Sequence, residues 1–120
     1  MKDGATRTAR QLAGDAGEDA ALAHLRQHGL TLVERNFRCR GGELDLVMRD
    51  GATVVFVEVR KRASAAFGGA AATIGRAKQA RLLAAANTWL QRYRLPPACR
   101  FDVIAIDGYT LSWLRNAIAG

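Results

Sequence analysis

The sequence predicts an α/β domain: a mixed central sheet of about five strands flanked by helices. Three observations carry this. Residues 42–47 and 54–60 are short apolar runs of β-forming residues, separated by the tight-turn dipeptide Asp50-Gly51. A helical pattern precedes them, and a second follows before a last pair of strands, so the order is helix, three strands, helix, two strands. The chain has 120 residues, 49% hydrophobic and 24% charged. That suits one domain, residues 1–120, around a single core.

The first helix is expected to run to about His28, with Thr8 or Asp15 as its N-cap. Leu12, Ala16, Ala20 and Ala23 recur at helical spacing, and Leu22 and Leu25 widen the stripe. Gly14 and Gly17 interrupt it, at a cost of about 1 kcal/mol each against alanine in an exposed helix. They point to close approach of a backbone or ligand, or to a late helix start. Gly29 is placed as the C-cap. A first strand over residues 30–38 turns at Arg40-Gly41-Gly42 into the second, and Asp50-Gly51 turns that into the third. The third is the most apolar run and is expected centrally in the sheet.

Residues 63–72 are small and nearly uncharged, and read as a mobile loop beside the site. Thr73 is expected to cap a second helix from Ile74 to about Arg94. Its stripe of Leu82, Leu83, Ala86, Trp89, Leu90 and Tyr93 faces the core, and Pro96-Pro97 stops it. A fourth strand over residues 99–106 turns at Asp107-Gly108 into a fifth, where Trp113 is either core or a base-stacking platform. The opening strands form a meander, and the second helix crosses over to a later strand.

Charge narrows the function classes. Lys and Arg number 18 against 11 Asp and Glu, for a net charge of +7. Most of the cations are arginine, which forks onto phosphate oxygens. Nucleic acid is the favoured partner; an anionic membrane or mere solubility are the alternatives. No run approaches the ~20 apolar residues that span a bilayer. No apolar stretch follows the basic residues near Met1, which argues against a signal peptide. Cys39 and Cys99 are expected as free thiols in a reducing cytoplasm. His24 and His28 stand four apart but lack the glutamate of the zincin motif, and read as surface residues. Gly68-Gly69 lacks the lysine of a phosphate loop. Arg100 and Asp102 share a strand face and read as a structural ion pair.

Three carboxylates inside apolar strands need an explanation, because a buried unpaired carboxylate is costly. A two-residue turn at Asp50-Gly51 sets Arg49 opposite Ala52, Asp45 opposite Phe56 and Glu43 opposite Glu58. Glu43, Asp45, Glu58 and Arg60 then share one face. Like charges facing each other repel unless a cation lies between them, so the economical reading is a divalent-metal site with a basic residue beside it. A solvated acidic face is the alternative, and the apolar neighbours Val54 and Phe56 weigh against it. Glu43 is also suited to capping the glycine turn or pairing with an arginine.

Asp45, a gap of twelve residues, then Glu58-Val59-Arg60 resembles the PD-(D/E)xK motif of restriction-endonuclease-like nucleases. Over nearly its whole length the chain resembles the YraN family of small bacterial proteins, themselves similar to archaeal Holliday-junction resolvases. The matching residues are Gly14, Gly17-Glu18, Gly42-Glu43-Leu44-Asp45-Leu46, Phe56-Val57-Glu58-Val59-Arg60, Phe67-Gly68-Gly69, Lys78 and Arg100-Phe101-Asp102-Val103. The resemblance implies a restriction-endonuclease-like fold. It also implies Mg²⁺ (or Mn²⁺) held by Asp45, Glu58 and a first-helix glutamate, Glu18, with DNA, branched structures included, as substrate. Read from its neighbours alone, Glu18 is an ordinary exposed helix residue.

Arg60 stands where the nuclease motif has lysine, and a guanidinium cannot give up its proton. It remains able to orient a water or hold a phosphate, whereas Lys61 points to the opposite face. Lys78, Arg76, Arg40 and Arg62 are the expected backbone-gripping residues, with Arg35, Arg38 and Arg81 extending the surface. For Lys78 a solvated helix face is the plain alternative. Related resolvases act as dimers, so a homodimer is an open expectation. The competing functions are a nucleic-acid-binding module that keeps the fold without turnover, and a protein-interaction domain with a basic face.

Overall fold

The computed structural model describes residues 9–62 and 74–118. The observed elements are α1 (Ala9–Gln27), β1 (Thr31–Cys39), β2 (Gly42–Asp50), β3 (Thr53–Arg62), α2 (Arg76–Leu90), β4 (Cys99–Asp107) and β5 (Thr110–Leu114). They build one five-stranded sheet in the order β1-β2-β3-β4-β5. Only β3 and β4 run parallel; the other neighbours are antiparallel. The mixed sheet and the element order are those expected from sequence. β3 lies at the centre, joined to its parallel neighbour through α2, because parallel strands need a crossover.

Each helix covers one face. Leu82, Ala85, Ala86 and Trp89 of α2 pack on Leu44, Val47, Val54, Phe56, Phe101 and Val103. Ala21, Leu22 and Leu25 of α1 pack on Leu46, Met48, Val55, Val57, Ile104 and Ile106. The α2 stripe was legible, but the α1 stripe is rotated. Ala16, Ala20 and Ala23 are exposed, and the inward positions are Gly17, Ala21, Leu22 and Leu25. Glu18 falls on that inward arc by its three-, four- and seven-residue spacing to Ala21, Leu22 and Leu25.

Several local expectations are corrected. Asp15 lies inside α1; Thr8, Thr73 and the segment 63–72 expected as a loop lie outside the described residues. Gly75 takes the N-cap of α2 without a side-chain bond, and the helix ends at Leu90, short of Arg94. Gly17 makes room for no backbone; a Cβ there would meet Lys61 Cδ and Ile106 at ordinary van der Waals distance. Gly29, with φ 92, does end α1. Its N–H reaches the Arg26 carbonyl, and the Leu30 N–H reaches that of Leu25, the bonding of a Schellman cap. The true close approach is at Gly42, where a Cβ would fall on the Arg81 carbonyl oxygen. Glycine there lets the β1–β2 hairpin lie against α2.

Both Asp-Gly turns are displaced by one residue from the expected placement. Asp50 pairs with Thr53 and Asp107 with Thr110, so the central residues are Gly51-Ala52 and Gly108-Tyr109. Gly51 and Gly108 have φ of 61 and 63. Glycine at the first central position is what a type II′ hairpin turn asks for. Asp50 and Asp107 are therefore the last residues of their strands. No helix among the described residues is long and apolar enough to cross a membrane. Cys39 and Cys99 are unpaired.

Candidate functional site

The corrected turn changes what faces what. Paired positions of β2 and β3 run from Asp50–Thr53 to Leu46–Val57. Continuing that register brings Asp45 to Glu58 in place of the expected Phe56. Glu43 does not face Glu58; it pairs with Arg38 of β1. Beyond Leu46, β2 stays with β1 and parts from β3. At this fork Asp45 Oδ2 accepts the Val59 N–H at 2.9 Å. A side-chain carboxylate thus takes the place of a ladder carbonyl, and the Val59 N–H is not left orphaned.

The fork is also where side-chain alternation breaks. Leu44 packs on the α2 side and Leu46 on the α1 side, although two residues apart on a regular strand share a face. Across from Asp45, between the Arg35–Leu46 and Phe37–Leu44 pairs, Asn36 has φ 54. Asparagine tolerates that left-handed conformation better than most residues. The twisted hairpin leaves Asp45 near carboxylates from both sides of the sheet. Its charge acts on Glu58 and on Glu18 alike.

Glu58 is the most constrained of these groups. Only 3% of it is exposed, and its Oε1 is buried with no hydrogen-bond donor. Lys78 Nζ lies 3.4 Å and Arg60 Nη1 4.0 Å from its other oxygen, Oε2. Burial first, then the charge and hydrogen bond of Asp45, push the Glu58 carboxyl up to about 8, against the pull of Lys78. At neutral pH the Glu58 carboxyl therefore keeps its proton. A cation would relieve the same repulsion and leave both ionised.

Glu18 is turned inward, not exposed as its neighbours suggested. Its Oε1 is 3.4 Å from Arg35 Nη2, while Arg35 Nη1 holds the exposed Asp19 at 2.9 Å. With the Asn36 amide oriented nitrogen-inward, that nitrogen donates to both Glu18 oxygens at 3.3 Å. Burial, and then the Asp45 charge, raise the Glu18 carboxyl above its ordinary value. Among the described residues no three His, Cys, Asp or Glu side chains stand close enough to form a metal-holding group. Asp45 and Glu58 meet; Glu18 is drawn away by Arg35. Two carboxylates still suit Mg²⁺, which commonly takes one or two protein carboxylates and completes its shell with water and substrate phosphate.

The remaining predicted residues surround this pair unequally. Arg60 and Lys78 converge on Glu58. Arg76, Arg81, Arg38 and Arg40 are exposed, the last two on the hairpin that Gly41 and Gly42 press against Ala84 and Arg81 of α2. Arg62 closes β3 opposite Asp107. Lys61 turns toward Gly17 of α1, away from Arg60, as alternation requires. Sequence reasoning missed Asn36 and the part Arg35 plays. An asparagine inside a strand, where it is a poor fit, was the available signal.

The family model described as uncharacterised protein family UPF0102, the YraN family, matches residues 17–106. The chain belongs to that family. It is 65% identical over 112 residues to a UPF0102 protein of Janthinobacterium sp. (strain Marseille), covering 93% of this chain and 91% of the relative. It is 64% identical over 112 residues to a UPF0102 protein of Herminiimonas arsenicoxydans, covering 93% and 90%. A UPF0102 protein of Methylibium petroleiphilum is 56% identical over 111 residues, covering 87% and 91%. The matched span of this UPF0102 chain includes Glu18, Asn36, Asp45, Glu58, Arg60 and Lys78.

Away from the fork, the other predicted residues settle into packing. Trp89 is buried, and its Nε1–H donates to Glu34 Oε1 at 2.9 Å. His24 and His28 rest on Trp113, with ring centroids 5.9 and 5.5 Å from it. Arg100 and Asp102 form the expected ion pair at 3.0 Å.

Proposed function

We propose that this chain is a metal-dependent endonuclease that hydrolyses phosphodiester bonds in DNA, branched structures included. The observation that carries the reading is the meeting of Asp45 and Glu58 at the β2–β3 fork, with one Glu58 oxygen buried and without a donor. Natural folds rarely leave a buried carboxylate oxygen unsatisfied unless something else completes it. Asp45 and Glu58 would hold Mg²⁺ or Mn²⁺, with Glu18 behind them. The ion, when bound, would lower the pKa of a water and offset charge on the phosphoryl oxygens.

The chain's own residues do the positioning. Arg60 holds a phosphate oxygen or orients the attacking water, and as a guanidinium it does not serve as a base. Lys78, in the first turn of α2, adds an ammonium to a helix N-terminus that already favours anions. Arg76, Arg40 and Arg62 grip the backbone without reading bases.

The test is cleavage of labelled linear, forked and four-way DNA, with RNA counterparts, in Mg²⁺ and Mn²⁺. Asp45→Asn should lower the rate ~10²-fold or more. No cleavage of any structure, or cleavage that survives Asp45→Asn, defeats the reading. A second reading, a binding module without turnover, is favoured by Arg60 in the lysine position. It expects salt-dependent binding and no metal-dependent cleavage.

A further inference from the structure

The sheet end that carries Asp45 and Glu58 also carries the β4–β5 turn. Parallel pairing sets Glu58 beside Val103 and Arg62 beside Asp107. Asp107 pairs with Thr110, so Gly108 and Tyr109 form the tip just beyond the end of β3. From Glu58 to Arg62 is four residues, about 13 Å at about 3.3 Å per residue. Arg60 lies on the Glu58 side of the intervening strand, and Lys61 turns to the α1 side.

Tyr109 is wholly exposed on this tip. The other aromatic side chains among the described residues do not share that setting. Phe56, Trp89 and Phe101 are buried, Tyr93 packs on Trp89, Phe37 lies against the α2-side core, and Trp113 rests on the two histidines. The backbone around Tyr109 is fixed by the Asp107–Thr110 pair and by Gly108 at φ 63, so the ring is presented from a defined turn.

A ring in this setting matches one feature of nucleic acid. Bases inside a duplex are already stacked and closed to a side chain, whereas an unpaired base gains by stacking on an aromatic face. Arg60, beside the carboxylates, suits the backbone of the same strand. We propose that Tyr109 is a stacking platform for an unpaired base, so that the preferred ligand is a nucleic-acid strand single-stranded beside the carboxylate pair. This rests on the phosphodiester reading and narrows its substrate class. Stacking is indifferent to the sugar, so DNA and RNA share this chemistry.

The test is binding without metal, in EDTA at fixed low salt, read by fluorescence anisotropy. The probes are a labelled single-stranded DNA oligonucleotide, its RNA counterpart and the blunt DNA duplex. Tyr109→Ala should weaken single-strand binding roughly tenfold and change duplex binding by less than about twofold, while Tyr109→Phe stays within about twofold of wild type on every probe. The tighter of the two single strands identifies the natural polymer. Unchanged single-strand affinity in Tyr109→Ala, or an equal loss on strand and duplex, overturns the stacking role and leaves the nuclease reading standing. Wild-type chain that binds neither single strand also overturns the stacking role, and the cleavage assay with metal then decides the nuclease reading separately.

Discussion

Two buried carboxylates sit in neighbouring strands of one sheet, and they are treated in opposite ways. Asp102 of β4 is 0% exposed and fully answered. Its Oδ1 accepts from Arg100 Nε at 3.0 Å and from the Asn116 N–H at 2.9 Å. Its Oδ2 accepts from Trp113 Nε1 at 2.9 Å. Arg100 also reaches Asp50 at 3.0 Å, which ties β2, β4, β5 and the chain after β5 together. Glu58 of β3 is almost as deeply buried, yet it faces another acid, has cations only at 3.4 and 4.0 Å, and leaves one oxygen without a donor. A satisfied buried charge specifies a fold. An unsatisfied one, kept beside a like charge, lowers stability.

The largest test of this contrast is removal of the satisfied charge. Asp102→Ala strands the Arg100 guanidinium, the Trp113 indole N–H and the Asn116 N–H, and should cost about 3–5 kcal/mol by urea unfolding. A loss within experimental error would erase the distinction.

Glu58→Gln should go the other way, and the sign follows from proton linkage. The Glu58 carboxyl titrates near 8 in the fold against an ordinary value of 4.5, so between these values the folded chain holds a proton that the unfolded chain has released. Its contribution to wild-type stability is full at pH below about 4.5 and is lost as pH rises through about 8. Glu58→Gln should abolish that slope and be more stable than wild type above about pH 8, by about 2–4 kcal/mol. Mg²⁺ should raise the wild-type Tm most in the same alkaline range and leave that of Glu58→Gln unmoved. A wild-type slope of opposite sign would show that Glu58 is ionised and paired.

The smallest effect sharpens the Asp102 side. Trp113→Phe keeps most of the ring contact with His24 and His28 and loses one bond to a charged acceptor, at about 1–2 kcal/mol in the same unfolding experiment. A loss as large as that of Asp102→Ala would mean that ring packing, not the carboxylate, holds β5.

The legibility of these features tracks how local their causes are. The α2 stripe was readable because Leu82, Ala86 and Trp89 repeat at helical spacing, and Gly29 announced the end of α1 because few other residues accept φ 92. The Arg100–Asp102 pair was readable because residues two apart on a strand share a face. That Asp45 and Glu58 stand near each other was legible, because a short turn joins their strands and a two-position shift of register keeps them neighbours; their facing sides were not, because alternation breaks at the fork. Nor were their partners. Glu43 was expected opposite Glu58, but Gly51, not Asp50, opens the turn, and each residue of β2 met a β3 partner two positions further on. Glu18 was hidden because an alanine-rich helix gives a weak apolar stripe, and its rotation is fixed by what the sheet offers it.

The amino-acid order alone determined the succession of elements, the central place of the Val54–Val59 run and the presence of carboxylates inside two neighbouring strands, because backbone preference and side-chain periodicity act over a few neighbouring residues. The tertiary structure decided the fork. β2 must choose between β1 and β3 beyond Leu46, and that choice depends on the left-handed turn at Asn36, on Gly42 lying against Arg81, and on Asp45 answering the Val59 N–H. None of these contacts is local in sequence, and they bring Asp45 and Glu58 together while Arg35 holds Glu18 aside.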